Sequence, residues 1–316
     1  MRRVLHHPVV RFVLLGVTFG FIAWALAAQW DTMRAAAQDL KVGWGWVLAA
    51  SSVVLATYAL LIQSWRLLLR GWGGELSYGK AVRVWTIANL GRYLPGKVWS
   101  IGALGVMASR EGVSGVAAAG AAVLGTVLNI GAGFAVTVIF GAEGLDSLYP
   151  GVRRIAIAGA IAFGFGVLAL PLVLPTALNR LAVWRGLPLT REPLRPSVIW
   201  IAAAINCVSW IGYGVAFALF SQGVTPRISS DPALFIAVYS ASYLVGFLAL
   251  FAPGGIGVRE YALVALLVGL GAAGNGEAVL LSATSRLWLT ALEVLPGTIG
   301  LLLLSPAQRA TLKRAG

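Results

Sequence analysis

Apolar stretches of about 20 residues recur along the chain, and short segments that carry most of the charged residues separate them. A helix of this length crosses the hydrocarbon core of a bilayer. Membrane helices are therefore predicted near residues 12–28, 44–64, 114–140, 155–174, 197–221 and 278–304. Two further apolar stretches, 84–108 and 233–274, are interrupted in the middle. The pattern predicts an all-α polytopic membrane protein with about six to ten membrane helices.

The two interruptions share a proline followed by glycine, and their residues are Pro95, Gly96, Pro253, Gly254, Gly255 and Gly257. Proline removes a backbone donor and clashes with the preceding turn, so a helix should end before each break and a new helix should begin after it. Lipid cannot satisfy the exposed backbone groups, so such a break must be buried in protein or line a wet cavity. Two interpretations stay open: each broken stretch is a re-entrant hairpin, or it is two short spans joined by a turn at the surface.

The elements occur twice in the same order, once over about residues 1–140 and again over 155–304. Each half contains two spans, a broken hairpin and a further span. The number of crossings per half is odd whether a broken hairpin counts as re-entrant or as two spans, so the second half should be inverted relative to the first. We therefore expect one integral membrane domain, 1–316, built from two inverted pseudo-repeats with a binding site at their interface.

Composition and charge support a membrane protein and indicate its orientation. The chain is 59% hydrophobic and 11% charged, with a mean hydropathy of +0.86. The net charge of +13 does not predict binding to nucleic acid, because the basic residues are spread through short loops. Fifteen lysines and arginines fall in the predicted inner segments and five in the outer ones. The positive-inside rule then places both termini in the cytoplasm of a plasma-membrane protein.

Seven polar residues inside the apolar stretches are candidate substrate-binding residues: Asn89, Arg92, Lys97, Arg259, Glu260, Arg286 and Glu293. A charge at the bilayer centre costs about 3 kcal/mol, so such residues usually face the protein interior and find a partner. Arg286 is accordingly expected to pair with Glu260 or Glu293. The four cations outnumber the two acids, and an anionic group such as a lipid phosphate would balance the excess. Alternatively, Arg92 and Lys97 extend to headgroups at the cytoplasmic surface.

The sequence offers few residues that could catalyse a reaction or bind a metal ion within the predicted membrane core. The only histidines, His6 and His7, precede the first span, so the core lacks the usual general base and the usual metal ligand. The four aspartates are isolated from one another in predicted outer loops, and the chain has no GxxxxGK[ST] phosphate-binding loop. We therefore expect no enzymatic activity, no cofactor and no metal.

Several motifs resemble the transmembrane, flippase-like domain of lysylphosphatidylglycerol synthases. They are Asn89, LPGK at 94–97, REGVS at 110–114 and PGGIGVRE at 253–260. The resemblance extends from about the second span to the last and includes Asn89, Glu260 and the prolines and glycines of both breaks. It implies lipid translocation without lipid synthesis, since the sequence holds no soluble aminoacyl-transferase domain. Family members often carry an arginine and a Gly-Glu pair where residues 97–100 read KVWS, so the resemblance does not identify the lipid.

The sequence favours a lipid flippase that moves an anionic lipid or lipid-linked headgroup, with Lys97 and Arg259 contacting its phosphate. Two alternatives remain from the sequence. One is a membrane-embedded transferase that acts on a lipid-linked substrate. The other is a non-transporting membrane partner of a cell-envelope enzyme.

Overall fold

The computed structural model describes residues 42–302, apart from 94–97, 149, 186–193, 227, 229–230 and 250–251. The predicted span at 12–28 lies outside the described residues, as do Pro95, Gly96 and Lys97. The backbone of Arg92 is described, but its side chain is not.

The described part of the chain is helical, with nine α-helices and no strand. The helices are α1 (Trp44–Gly71), α2 (Tyr78–Asn89), α3 (Val98–Arg110), α4 (Gly115–Leu148), α5 (Val152–Arg185), α6 (Pro196–Val224), α7 (Pro232–Leu248), α8 (Val258–Gly269) and α9 (Asn275–Leu302). Two 3₁₀ turns accompany the breaks: Leu90–Tyr93 follows α2, and Pro253–Gly255 precedes α8. This architecture confirms the predicted all-α polytopic fold.

Five of the helices, namely α1, α4, α5, α6 and α9, are long and apolar enough to cross a membrane. They correspond to the five predicted spans that fall within the described residues. Two helices extend well beyond the predicted apolar stretches: α4 continues to Leu148, and α5 runs from Val152 to Arg185. Between them, the Asp146 carboxylate accepts hydrogen bonds from the backbone N–H groups of Gly151 (2.9 Å) and Arg153 (3.2 Å). Apolar length predicts the crossing, whereas a helix can continue beyond it.

Each broken stretch forms a pair of short helices. Helices α2, α3 and α8 have 12, 13 and 12 residues, and α7 has 17. At 1.5 Å per residue, the first three cover about 20 Å or less, which is shorter than the roughly 30 Å hydrocarbon core. Helix α7 is at the lower limit for a crossing. These lengths favour hairpins over pairs of complete spans.

The order of long helix, two short helices and long helix occurs in α1–α4 and again in α6–α9. The equivalent long helices α1 and α6 pack along each other. Each hairpin also reaches the last helix of the other half, because α7 packs against α4 and α2 packs against α9. The two 3₁₀ turns contact each other. The two breaks therefore meet inside the protein, where both halves contribute to the same region.

Candidate functional site

Glycine is required by the backbone of the second break. The φ angles of Gly254, Gly255 and Gly257 are +59°, +71° and +82°, in the left-handed region that other residues rarely adopt. A Cβ on Gly255 would lie 2.8 Å from the carbonyl oxygen of Gly246 in α7. The 3₁₀ turn thus lies directly against the backbone of α7, and a larger residue at position 255 would separate them.

Glu260 and Arg286 connect this turn to two helices. The Glu260 carboxylate accepts a hydrogen bond from the backbone N–H of Gly257 (2.6 Å), and so caps the first turn of α8. Its other oxygen lies 3.5 Å from Nε of Arg286 in α9. Arg286 Nη2 donates to the carbonyl oxygen of Gly254 (3.1 Å). The pairing of Arg286 with Glu260, one of the two expected from the sequence, therefore fixes the turn between α8 and α9.

Arg259, the neighbour of Glu260, has a different environment. Its side chain is only 7% exposed. Its guanidinium carbon lies 5.1 Å from the ring centre of Tyr239 and 5.0 Å from that of Tyr243, both in α7. Aromatic faces attract a cation without neutralising its charge. No carboxylate among the described residues lies within ion-pair distance of Arg259, so Arg259 forms no direct ion pair within this part of the chain.

A cavity of about 100 Å³ lies where the two broken stretches meet, and we call it the charged cavity. Its lining includes Ser100, Gly254, Gly255, Arg259, Arg286 and Glu293. Ser100 belongs to α3 in the first broken stretch, and the others belong to the second broken stretch and α9. Together with Glu260, the described residues here supply two cations and two carboxylates. The cation excess that the sequence predicts therefore depends on Arg92 and Lys97, whose side chains lie outside the described residues.

A second cavity, of about 180 Å³, adjoins the first, and we call it the amide cavity. Its lining includes Asn89, Asn129, Asn206, Trp65, Trp85 and Trp210. Ser100, Tyr243 and Phe247 line both cavities, so the two share a wall. Asn89, a predicted site residue, thus lies in the amide cavity, whereas Arg259, Arg286 and Glu293 line the charged one.

Hydrogen bonds donated by side chains hold the amides of the amide cavity in place. Asn129 Nδ2 donates to Asn206 Oδ1 (2.9 Å), which joins α4 to α6. Asn206 Nδ2 donates to Ser64 Oγ in α1 (3.0 Å) and to the carbonyl oxygen of Ala202 (2.7 Å). Trp210 Nε1 donates to the carbonyl oxygen of Asn129 (2.7 Å). This network fixes one wall of the amide cavity.

The sequence reasoning missed Asn129, Asn206, Tyr239 and Tyr243. A signal for the asparagines was present, because each is an amide inside a long apolar stretch. The tyrosines gave no such signal, since aromatic residues are ordinary in membrane helices. In the described part of the chain, no group of three His, Cys, Asp or Glu side chains is arranged to hold a metal ion.

Comparison with known proteins places this site in a family. No curated protein matches the chain. The family model described as "Lysylphosphatidylglycerol synthase TM region" matches residues 10–297, a range that includes both breaks, the residues of both cavities and the five long helices almost entirely. The match covers most of the chain and agrees with the motifs that carry the sequence resemblance. The chain is therefore a multi-pass membrane protein that belongs to the lysylphosphatidylglycerol synthase TM region family.

Proposed function

We propose that the chain is a lipid flippase that moves an anionic, phosphate-bearing lipid headgroup across the plasma membrane. The observation that carries the proposal is the buried charge of Arg259, which lines a cavity at the meeting point of the two broken hairpins. The proposal includes no catalytic step. The partner it implies is a membrane lipid.

A phosphate suits the surroundings of Arg259. A buried charge is costly unless it is paired, and Arg259 has no ion pair within the described residues. The planar guanidinium offers several donors in a geometry that matches phosphate oxygens. Arg259 also occupies the first turn of α8, where the helix dipole favours negative charge. Among the described cations that line the charged cavity, Arg286 contacts Glu260 and Gly254, whereas Arg259 forms no ion pair and so can donate to an anion.

The arrangement of the two hairpins supports alternating access. Transporters with inverted repeats place their substrate site at the repeat interface, where helices are discontinuous. Here the Pro253–Gly255 turn contacts the Leu90–Tyr93 turn, so movement of one hairpin changes the walls of the charged cavity. With both termini in the cytoplasm, as the distribution of basic residues predicts, the first hairpin opens inward and the second opens outward. The two hairpins then act as the inner and outer gates.

Ion pairs hold the first hairpin together at the end opposite its break. Glu111, which follows α3, lies 3.0 Å from Lys80 Nζ and 2.6 Å from Arg83 Nη2, both in α2. These contacts join the start of α2 to the end of α3, away from the break between them. In the proposed orientation this end faces the cytoplasm, and the ion pairs hold the two helices of the hairpin together there.

A translocation assay in proteoliposomes tests the proposal. Purified protein is reconstituted with fluorescent phosphatidylglycerol or phosphatidylcholine, and a membrane-impermeant quencher then bleaches only the outer leaflet. We expect bleaching of phosphatidylglycerol beyond the outer-leaflet fraction, and the loss of this excess in Arg259→Gln. Arg259→Lys keeps the charge and should retain part of the activity. The matched control is Arg153→Gln, since the Arg153 side chain is 50% exposed and lies outside both cavities.

Two results would overturn the proposal. One is full translocation by Arg259→Gln in protein that elutes as a single species. The other is bleaching no greater than in empty vesicles for either lipid. If Arg259→Gln does not fold, Arg259→Lys decides the question, because unchanged charge with altered geometry should lower the rate without abolishing it.

A further inference from the structure

Glu293 is a carboxylate close to the middle of the membrane. It belongs to α9, which runs from Asn275 to Leu302 and is one of the helices able to cross a membrane. Its position is about five residues beyond the centre of α9, or about 7 Å along the axis at about 1.5 Å per residue. In the proposed orientation this displacement is toward the cytoplasm. Carboxylates at such depth are costly to keep charged, and in pumps and transporters they serve as proton relays.

The backbone beside Glu293 needs a polar partner. Pro296 lies inside α9, three residues after Glu293. Proline has no N–H, so the carbonyl oxygen of Leu292 lacks the donor that residue 296 would otherwise supply. Within a membrane, such a carbonyl is satisfied by a neighbouring side chain or by water. The helix therefore favours a hydrated or polar environment next to the Glu293 carboxylate.

The amide cavity provides space for water next to the charged cavity. The described residues that line it are uncharged, and its polar groups include the amides of Asn129 and Asn206. Its volume of about 180 Å³ corresponds to roughly six water molecules at about 30 Å³ each. The lining residues of α1 and α4 lie in the halves of those helices nearer the predicted cytoplasmic ends. Water in this cavity would carry protons from the cytoplasmic half of the membrane to the wall shared with the charged cavity at Ser100, Tyr243 and Phe247.

A lipid phosphate in the charged cavity would place a second anion beside Glu293. The described groups there are balanced, because Arg259 and Arg286 supply two positive charges and Glu260 and Glu293 two negative ones. When two anions share a poorly hydrated site, the neutral form of the carboxylic acid is favoured. Protonation of Glu293 would restore the balance. By linkage, the phosphate then favours binding of the proton as much as the proton favours binding of the phosphate.

We propose that Glu293 binds a proton when a lipid phosphate occupies the charged cavity, so that the protein carries one proton with each lipid. This inference rests on the proposed function and adds its driving force. The Glu293 carboxylate takes the proton from water on the side where the lipid enters and returns it to water on the side where the lipid leaves. A phosphodiester and a proton together carry no net charge, so a pH gradient drives the movement and the membrane potential does not. An acidic exterior drives the lipid toward the cytoplasm.

Charged and titratable groups from several elements surround Glu293. Those described are Arg259 and Glu260 of α8, Arg286 of α9, and Tyr239 and Tyr243 of α7. Helix α6 carries no charged residue, and the basic residues of α1 and α2 lie toward the predicted cytoplasmic ends of those helices. Arg92 and Lys97, from the first broken stretch, have side chains outside the described residues. The test must therefore distinguish a bound proton from a balancing charge on either of these two.

A pH gradient across the proteoliposome membrane tests the coupling. Fluorescent phosphatidylglycerol is added to the outer leaflet, the outer buffer is made one pH unit more acidic than the inner, and valinomycin with equal potassium holds the membrane potential at zero. The impermeant quencher then reports the ratio of lipid in the inner leaflet to lipid in the outer leaflet. With one proton per lipid, this ratio should rise by about tenfold per pH unit. The ratio depends neither on the rate nor on the orientation of the protein in the vesicle.

Glu293→Gln removes the proton site with little change of shape. The leaflet ratio of Glu293→Gln should stay at its value without a gradient, because glutamine cannot take up a proton. The matched control is Glu143→Gln, which should keep the full response, since the Glu143 side chain is 87% exposed and lines neither cavity. If Glu293→Gln does not fold, a pH-sensitive dye inside vesicles of the unmodified protein decides. Addition of phosphatidylglycerol to the outer leaflet, without a pH gradient, should acidify the interior.

The outcomes separate this proposal from the one on which it rests. If lipid moves but neither the leaflet ratio nor the dye responds, proton coupling is overturned and the flippase is left intact. That result is expected if Arg92 or Lys97 balances the phosphate. A gradient response that persists in Glu293→Gln would overturn the assignment of the proton to Glu293. No movement of any lipid would overturn both proposals.

Discussion

Gly246→Ala should damage both the stability of the protein and the position of Arg259. At Gly246, helix α7 passes the start of α8 so closely that an added Cβ would lie 2.6 Å from Arg259 Cβ and 3.2 Å from its Cα. Ordinary van der Waals contact begins near 3.4 Å, so the two helices would have to separate by about 0.8 Å. Because the contact includes backbone, a change of rotamer at Arg259 does not relieve it.

The size of the effect follows from two opposing contributions. Forcing an extra methyl group into a packed contact costs about 1–3 kcal/mol. Replacing glycine by alanine within a helix stabilises the helix by about 0.5–1 kcal/mol, because alanine has the higher helix propensity. The free energy of unfolding should therefore fall in Gly246→Ala by about 1 kcal/mol, the middle of a range of about 0–2.5 kcal/mol. The same displacement moves Arg259 relative to Tyr239 and Tyr243, so lipid translocation should also fall.

Thermal unfolding in detergent measures the first effect, and the proteoliposome assay measures the second. The matched control is Gly166→Ala in α5, where an added Cβ meets no atom within 4 Å and helix propensity alone should act. At about 2–4 °C per kcal/mol, Gly246→Ala should melt several degrees below the unmodified chain, and Gly166→Ala at or above it. A melting temperature for Gly246→Ala equal to that of the control, with full translocation, would refute the close approach of α7 and α8.

Two further predictions concern the first hairpin and the last helix. Burial favours the neutral form of Glu111, but hydrogen bonds from Lys80 and Arg83 outweigh it and lower the pKa of Glu111. A lowered pKa gives stability that is present above the ordinary carboxyl pKa and is lost as the pH falls through the lowered value. The advantage in melting temperature over Glu111→Gln should thus shrink between pH 7 and pH 3, and a constant difference would contradict the ion pairs. In α9, Gly297→Ala should lower the melting temperature more than Gly300→Ala, because the added Cβ would lie 2.9 Å from a backbone oxygen of α2 rather than 3.3 Å from a side chain. Equal values would contradict the close packing of α9 on α2.

The membrane-crossing helices could be predicted from the sequence, whereas their ends could not. A bilayer imposes a minimum apolar length, and that constraint appears in the sequence as five recognisable stretches within the described residues. No comparable constraint applies once a helix leaves the hydrocarbon. Helix α5 therefore continues to Arg185 although its apolar run ends near residue 174. The turn before α5 is held by a hydrogen bond from the backbone N–H of Gly151 to the Asp146 carboxylate. Such a local contact cannot be predicted from hydropathy.

The charged residues of the site could be predicted as a group, but their individual roles could not. Charges are so rare in apolar stretches that Arg259, Glu260 and Arg286 were conspicuous, and the structure does bring them together. Which arginine pairs with Glu260 depends on how α9 approaches the second break, and the sequence does not specify that. The cap formed by Glu260 on Gly257 likewise depends on the backbone of the glycine turn. Uncharged groups such as Asn129 are inexpensive to bury when paired, so sequence alone gave them little weight.

Arg259 and Arg286 have different relations to a passing anion, and this difference fits the proposed transport. Arg286 would have to exchange its contact with Glu260, a partly buried ion pair whose side chains are 20% and 25% exposed. Arg259 rests on Tyr239 and Tyr243, a contact of about 0.5–2 kcal/mol, and it forms no ion pair among the described residues. A transporter has to bind its substrate and then release it. The binding-site cation must therefore be accessible to the substrate anion and must attract it only moderately. On the proposed function, Arg259 therefore contacts the lipid phosphate, while Arg286 holds the glycine turn that positions it.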